Sequence, residues 1–257
     1  MSASVFSLEE IAGQLHAAAR TQKPIAQISN QQEITLDQAY LIQSMLLEAR
    51  YREGEKLIGL KMGFTSEAKM QQMGVNDLIW GRLTDAMLIP NNGTAMRNNY
   101  IHPRVEPEIC FRISKDIPGQ LNETEVKQYV DAVCTAIEVI DSRYENFKFS
   151  LADVIADNCS STGFVLGPWV PVPDSLNHLS MELTIDEQVV AAGSSNDIMN
   201  DPWKSLAAAT RLTALHGESI KAGMIVLAGA ATNAEFLQQN QHAAAKVSIL
   251  GSAGFRF

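Results

Sequence analysis

The amino-acid sequence predicts an α+β fold with a helical N-terminal part, and three observations carry that reading. Two capping-box signatures, each opening a helical stretch, fall within residues 1–55. From Lys56 onward the apolar residues come in short runs punctuated by Gly, Pro and Asn, the pattern of strands joined by loops. The chain has 257 residues, 46% apolar and 19% charged, enough to bury a sizeable core in one large domain or in a core domain with a smaller appendage.

Taken in order, Ser7-Leu8-Glu9-Glu10 lets a hydroxyl and a carboxylate each satisfy a free backbone amide, so a helix runs to about Arg20. Thr35-Leu36-Asp37-Gln38 repeats the device. The second helix carries Ala39, Ile42, Met45, Leu46 and Ala49 on one stripe and stops near Gly54. This divides the chain into a helical unit, 1–55, and a strand-rich remainder, 56–257. Within the remainder, Asn122-Glu123-Thr124-Glu125 caps a helix expected through about Thr135, followed by a strand from Ala136 to Asp141. Asp201, Pro202 and Gly217 mark the cap, first position and end of a later helix. Met224–Ala230 and Ala245–Phe257 read as strands. Met70, Met73, Trp80 and Met87 read as core.

A net charge of −9, a pI near 5.0 and the absence of clustered Lys and Arg argue against nucleic acid as a partner. An acidic protein still binds an acidic substrate when a divalent cation and a few basic residues reverse the local field. Cys110, Cys134 and Cys159 are odd in number and lack C-x-x-C spacing, so they read as buried, reduced thiols. Met1–Gln14 carries Glu9 and Glu10 and no basic region ahead of an apolar run. No segment reaches the ~18 uncharged apolar residues of a membrane span. The expected compartment is the cytoplasm, with no membrane partner.

The segment His102-Pro103-Arg104-Val105-Glu106-Pro107-Glu108-Ile109-Cys110-Phe111 places two carboxylates two residues apart. In an extended chain alternate residues share a face, so Glu106 and Glu108 converge while Ile109 and Phe111 turn to the other side. Pro107 cannot donate to a ladder, which predicts a strand start or an edge. Glu138 sits inside the apolar run Ala136-Ile137-Glu138-Val139-Ile140, where an unpaired carboxylate costs several kcal/mol and needs a partner. From the residues alone, Glu106 and Glu108 fit a solvated strand face as well as a metal site. Glu138 fits a salt bridge to Arg104 or Arg143 as well as a metal. A divalent cation satisfies all three carboxylates together, and hard oxygen donors suit magnesium, with manganese as the alternative. Gly223 to Gly229 is no phosphate loop and reads as close backbone packing.

Four strings carry a resemblance: Gly59-Leu60-Lys61-Met62-Gly63-Phe64-Thr65-Ser66, the His102–Glu108 segment, Ile137-Glu138-Val139-Ile140-Asp141-Ser142-Arg143-Tyr144, and Asp157-Asn158-Cys159-Ser160-Ser161. In sequence and order they resemble the hydratase/decarboxylase branch of the fumarylacetoacetate hydrolase superfamily. The resemblance implies a mixed β-sandwich or roll with a helical N-terminal part, and magnesium bound by Glu106, Glu108 and Glu138. It implies Lys61 as the catalytic lysine, a residue that otherwise reads as a surface cation between glycines. Ser160 and Ser161 would lie near the substrate. Arg104 and Arg143 would pair with substrate carboxylates or brace the glutamates, and His102 would make a structural hydrogen bond. The implied reaction is decarboxylation of a small 2-oxo dicarboxylate, 2-oxo-3-hexenedioate, in a homo-oligomer that associates with the sister hydratase. Hydration of 2-hydroxypenta-2,4-dienoate is the alternative, and a non-catalytic partner of the hydratase is a second. The sister pattern reads Gly-Val-Asp-Gln-Pro-Asp-Phe-Gly. Here Gly74-Val75-Asn76-Asp77-Leu78-Ile79-Trp80-Gly81 puts Ile79 where the hydratase has its second Asp, which favours decarboxylation unless Asp77 reaches the same space.

Overall fold

In the computed structural model, which describes residues 6–65 and 77–257, both capping boxes close as their residues require. The Glu10 amide donates to Ser7 Oγ at 3.2 Å and the Ser7 amide donates to the Glu10 carboxylate at 2.8 Å, opening α1 (Leu8–Thr21). Thr35 and Gln38 repeat the exchange at α2 (Leu36–Arg52), after which the chain turns through Gly54 at φ 99°. The buried stripe of α2 contains Ala39, Ile42 and Leu46, and also Gln43 and Leu47, while Met45 and Ala49 are half-buried. Ile11, Leu15 and Leu47 pack in one cluster with Tyr144, Val154 and Ile155, the last two from α3 (Leu151–Ala156). The helical unit is thereby seated on the strand-rich part. Ser66, Met70, Met73 and Gly74-Val75-Asn76 lie outside the described residues.

The strands in chain order are β1 (Leu57–Gly63), β2 (Ile79–Thr84), β3 (Leu88–Ile89), β4 (Arg104–Ile113), β5 (Val130–Ile140), β6 (Ser161–Leu166) and β7 (Val170–Pro171). They continue with β8 (Ser180–Ile185), β9 (Gln188–Ser194), β10 (Ile225–Leu227), β11 (Glu235–Phe236), β12 (His242–Val247) and β13 (Gly251–Arg256), with α4 (Pro202–Leu215) between β9 and β10. Among the described residues the larger sheet runs β2-β1-β10-β4-β5-β6-β3, with β11 on β4 and β7 on β5; the smaller runs β13-β12-β8-β9. β1 and β10 are parallel, as are β3 and β6, and the remaining pairs are antiparallel, so the larger sheet is mixed. Val105, Ile137 and Val139 of the larger sheet meet Leu183, Ala243, Ala245 and Phe255 of the smaller in one core, the sandwich. Trp203, Leu206 and Ala209 of α4 pack with Ile109 and Phe111. Trp80 and Met87 are buried, as the sequence predicts.

Two local expectations are corrected. Asn122 does cap a turn, its side-chain oxygen accepting from the Thr124 and Glu125 amides at 2.9 Å, but the helix expected through Thr135 is one 3₁₀ turn, Val126–Tyr129. The strand starts at Val130, because Val130, Val133, Thr135 and Ile137 are stiff β-branched residues and β4 offers a long antiparallel partner. Pro107 sits inside the sheet, not at a strand start or sheet edge: it is opposite Ile137 on β5. Its other side falls between β10, which covers Cys110–Arg112, and β11, which covers Arg104 and Val105. The missing proline N–H therefore faces a local gap in the ladder, where the Pro107 carbonyl accepts from the Ala231 amide instead.

Candidate active site

The gap in the ladder is where the three carboxylates meet. Glu106 and Glu108 share a face of β4, and Glu106 stands directly opposite Glu138 in the β4–β5 register. One ligand atom from each of Glu106, Glu108 and Glu138 lies within 4.8 Å of the others, and all three side chains are buried. Lys61 reaches them from β1, across β10, with Nζ 2.9 Å from Glu138 Oε2. It is 4% exposed, so it is a buried cation and not the surface lysine its glycine neighbours suggest. The Gly229 amide donates to Glu108 Oε2 at 2.7 Å. Gly229 has φ 98° and a Cβ there would lie 2.3 Å from Thr65 Cγ2, so the close backbone packing read from Gly223 to Gly229 is what brings this donor onto the carboxylate.

The arrangement is electrostatically unbalanced. Two carboxylates within 4.8 Å of each other repel by about 3 kcal/mol or more at an effective dielectric near 20. Burial, then the neighbouring Glu138 charge, pushes the Glu108 carboxyl well above the usual carboxylate range, with Lys61 opposing. Burial likewise raises Glu138 in spite of Lys61. Burial lowers the Lys61 pKa, but the attraction of Glu138, with smaller contributions from Glu106 and Glu108, holds it above the ordinary lysine value. Glu108 Oε1 and Glu138 Oε1 are buried with no hydrogen-bond partner among the described residues. Three hard anionic donors, one cation and orphaned oxygens fit a bound divalent ion of the magnesium or manganese type.

Lys61 and Glu106 open onto a cavity of about 450 Å³. Ile79, buried on β2, and Phe64, Phe149 and Val154 give it an apolar wall. Arg104 lies on its rim with the guanidinium 4.6 Å from the Phe147 ring centroid. Ser160 closes another edge, its hydroxyl buried without a partner among the described residues.

Residues 56–257 match the family model for the C-terminal region of fumarylacetoacetate (FAA) hydrolase. The chain belongs to the fumarylacetoacetate hydrolase family. Within that family, the 4-oxalocrotonate decarboxylase of a Pseudomonas species is 45% identical over 248 residues, covering 96% of this chain and 97% of the relative. The 2-keto-4-pentenoate hydratase of Paraburkholderia xenovorans strain LB400 is 32% identical over 226 residues, 86% of this chain and 84% of the relative. The solved structure of 4-oxalocrotonate decarboxylase from Pseudomonas putida G7, complexed with magnesium and adipate, matches with a TM-score of 0.94 at 33% identity over 97% of each chain. Fumarylpyruvate hydrolase from Pseudomonas aeruginosa shares the fold, with a TM-score of 0.60 at 12% identity over 77% of this chain and 88% of its own.

For this fumarylacetoacetate hydrolase family member, the remaining residues singled out in the sequence divide between the cavity and places outside it. Ser161 is separated from Ser160: its hydroxyl is buried beside Arg143 and Thr162 in a second cavity of about 340 Å³. Arg143 does brace, but its object is Asp157, to which Nε and the backbone amide both donate, together with the carbonyl of Asp141 at 2.5 Å and Thr162 Oγ1 at 2.6 Å. Burial pushes Asp157 up to about 6 against the pull of Arg143. Glu138 takes Lys61 as its ion-pair partner, not Arg104 or Arg143. Asp77 stays at the surface, 2.6 Å from Arg211, and does not line the glutamate cavity. His102 donates its amide to Asp141 at 2.7 Å and tilts against Phe147, outside the carboxylate cluster. Sequence reasoning missed Asn233 and Phe147 on the cavity wall, which bear no local signal. It also missed Gln43, whose signal was available: a polar residue flanked by Ile42, Leu46 and Leu47 on a buried helix face.

Proposed function

We propose that this chain catalyses the magnesium-dependent decarboxylation of 2-oxo-3-hexenedioate (4-oxalocrotonate) to 2-hydroxypenta-2,4-dienoate and carbon dioxide. The observation that carries the reading is the buried trio Glu106, Glu108 and Glu138 beside Lys61, opening onto a cavity walled by Ile79 where a hydratase would need a carboxylate. The substrate's C5–C6 bond breaks, its electron pair enters the conjugated chain, and the negative charge arrives at the 2-oxygen. A magnesium ion held by Glu106, Glu108 and Glu138 would supply Lewis-acid stabilisation of that charge. Lys61, kept as an ammonium by Glu138, adds a second positive charge and a proton source for the same oxygen. Ile79, Phe64 and Val154 exclude water from the end of the cavity that receives the departing carboxylate, favouring the delocalised product charge over the localised one. Arg104 on the rim is suited to orient the dianion on entry, and Ser160 to bond a substrate oxygen.

A labile dienol product suits a homo-oligomer that hands it on to a sister hydratase, and we propose both associations, with the cytoplasm as the compartment. No helix among the described residues is long and apolar enough to cross a membrane. The test is ultraviolet monitoring of the purified protein with 2-oxo-3-hexenedioate and captured carbon dioxide, with magnesium and then with a chelator. Carbon dioxide released only with the metal is expected. Efficient hydration of 2-hydroxypenta-2,4-dienoate with no carbon dioxide from the dicarboxylate would reassign the chain as the hydratase. Metal binding with neither turnover would make it a non-catalytic partner.

A further inference from the structure

The Ser160 edge of the cavity is built from an unusual backbone. Asn158, Cys159 and Ser160 are consecutive non-glycine residues with φ of 49°, 52° and 58°, a left-handed run that a free loop avoids. Something outside the run must hold it. Asn158 is bonded reciprocally to β2: its Oδ1 accepts from the Arg82 amide at 2.8 Å and its Nδ2 donates to the Arg82 carbonyl at 2.9 Å. A Cβ on Gly81 would lie 2.7 Å from the Asn158 carbonyl oxygen, so β2 presses directly on the run. Cys159 Sγ donates to the Trp80 carbonyl at 3.1 Å.

Trp80, Arg82 and Cys159, three of the residues in these contacts, also meet Gln43 of the N-terminal helices, which is fully buried. Its Nε2 donates to the Ile155 carbonyl at 2.9 Å and to the Trp80 carbonyl at 3.2 Å, and lies 3.9 Å from Cys159 Sγ. Its Oε1 accepts from Arg82 Nη1 at 2.5 Å. One amide, with both donors and its acceptor used, thus ties together α3, the run that follows it, and the strand that carries Ile79. We propose that Gln43 is a positioning residue for the reaction, holding the Asn158–Ser160 run against β2 so that the Ser160 hydroxyl stays in the cavity lined by Lys61. The inference rests on reading that cavity as the reaction site. It gives the N-terminal helices a part in chemistry that none of their side chains touches.

The test is a double-mutant cycle on the magnesium-loaded full chain, reading both decarboxylation and calorimetric binding of adipate, a non-reacting six-carbon dicarboxylate. Gln43→Met is expected to lower kcat/KM and weaken adipate by at least ~10-fold, with magnesium affinity within about 2-fold of the wild type. Because Gln43 acts through the run that carries Ser160, the variant combining Gln43→Met with Ser160→Ala should be no worse than the more damaged single variant, within about 2-fold. Wild-type kinetics in folded Gln43→Met, independent multiplying losses, or a parallel loss of magnesium affinity would each overturn the proposal. Should Gln43→Met fail to fold, Asn158→Gly carries the same cycle, since glycine tolerates the left-handed backbone while removing the clamp to Arg82. Unchanged kinetics and adipate affinity in Asn158→Gly would overturn the role. A wild type that releases no carbon dioxide but shows the same cycle in adipate binding supports the positioning role and overturns the proposed reaction.

Discussion

Lys61 and Glu138 each oppose the burial that disfavours the other's charge. Removing the lysine charge leaves Glu138 buried with its partner gone, but it also removes a cation that competes with a metal for the same carboxylates. Lys61→Met is therefore expected to bind magnesium at least as tightly as the wild type while losing turnover by at least ~10-fold, because in the proposed reaction its charge acts on the substrate oxygen. Glu108→Gln is expected to weaken magnesium and turnover together by at least ~10-fold, since an anionic ligand sets both. Titration calorimetry beside steady-state kinetics separates the two. Parallel loss of metal affinity in Lys61→Met would reduce the lysine to a brace for Glu138.

At the scale of elements, one carboxylate fastens the helical unit to the sheet. Glu55, just beyond α2, pairs with Arg20 of α1 at 3.1 Å and Arg50 of α2 at 2.9 Å, and accepts from Thr84 at the end of β2. Burial works against its charge, but the Thr84 hydroxyl and Arg50 outweigh it and hold the carboxyl below the ordinary glutamate value of 4.5. A lowered folded-state pKa means the contribution is complete above the unfolded value and is lost as pH falls through the folded one. Glu55→Gln should therefore lower Tm by roughly 3–6 °C at neutral pH. The gap to the wild type should close as pH falls below the ordinary glutamate value of 4.5 and through the lowered folded-state value, where Glu55 itself becomes protonated. Thermal scans across that range check it, and a gap that persists unchanged in acid would mean the loss came from packing.

For the whole molecule, the proposed metal site would be a folding term as well as a catalytic one. Carboxylates from β4 and β5 are forced together by the fold, and a ligand that binds only this state stabilises it by mass action. Magnesium at about 100 times its Kd should add ~2.7 kcal/mol. For a chain of this length that is a rise in Tm of roughly 5–10 °C. A chelator should abolish the shift, and Glu108→Gln, with binding weakened ~10-fold, should cut it to about half or less. Equal melting with and without magnesium would argue against an ion among these carboxylates.

What the sequence determined on its own is local. Ser7 with Glu10, Thr35 with Gln38, and Asp201 with Pro202 specify helix starts because capping is decided within one turn of chain. Glu106 and Glu108 share a face because side chains alternate along any strand. Tertiary structure decided the rest, through partners distant in the chain. The Asn122 cap pointed to a helix, but the ladder between β4 and β5 overrode it, since the pairing of a long strand outweighs a cap worth about 1 kcal/mol. Lys61 meets Glu138 only because β10, from near the end of the chain, is inserted between β1 and β4. Ser160 and Ser161 are neighbours in sequence, yet at the end of the left-handed run one lines the cavity of Lys61 and the other a second cavity beside Arg143. Propensity and alternation act over a few residues, whereas which buried charge finds which partner depends on sheet order and register, and those are set by the whole chain at once.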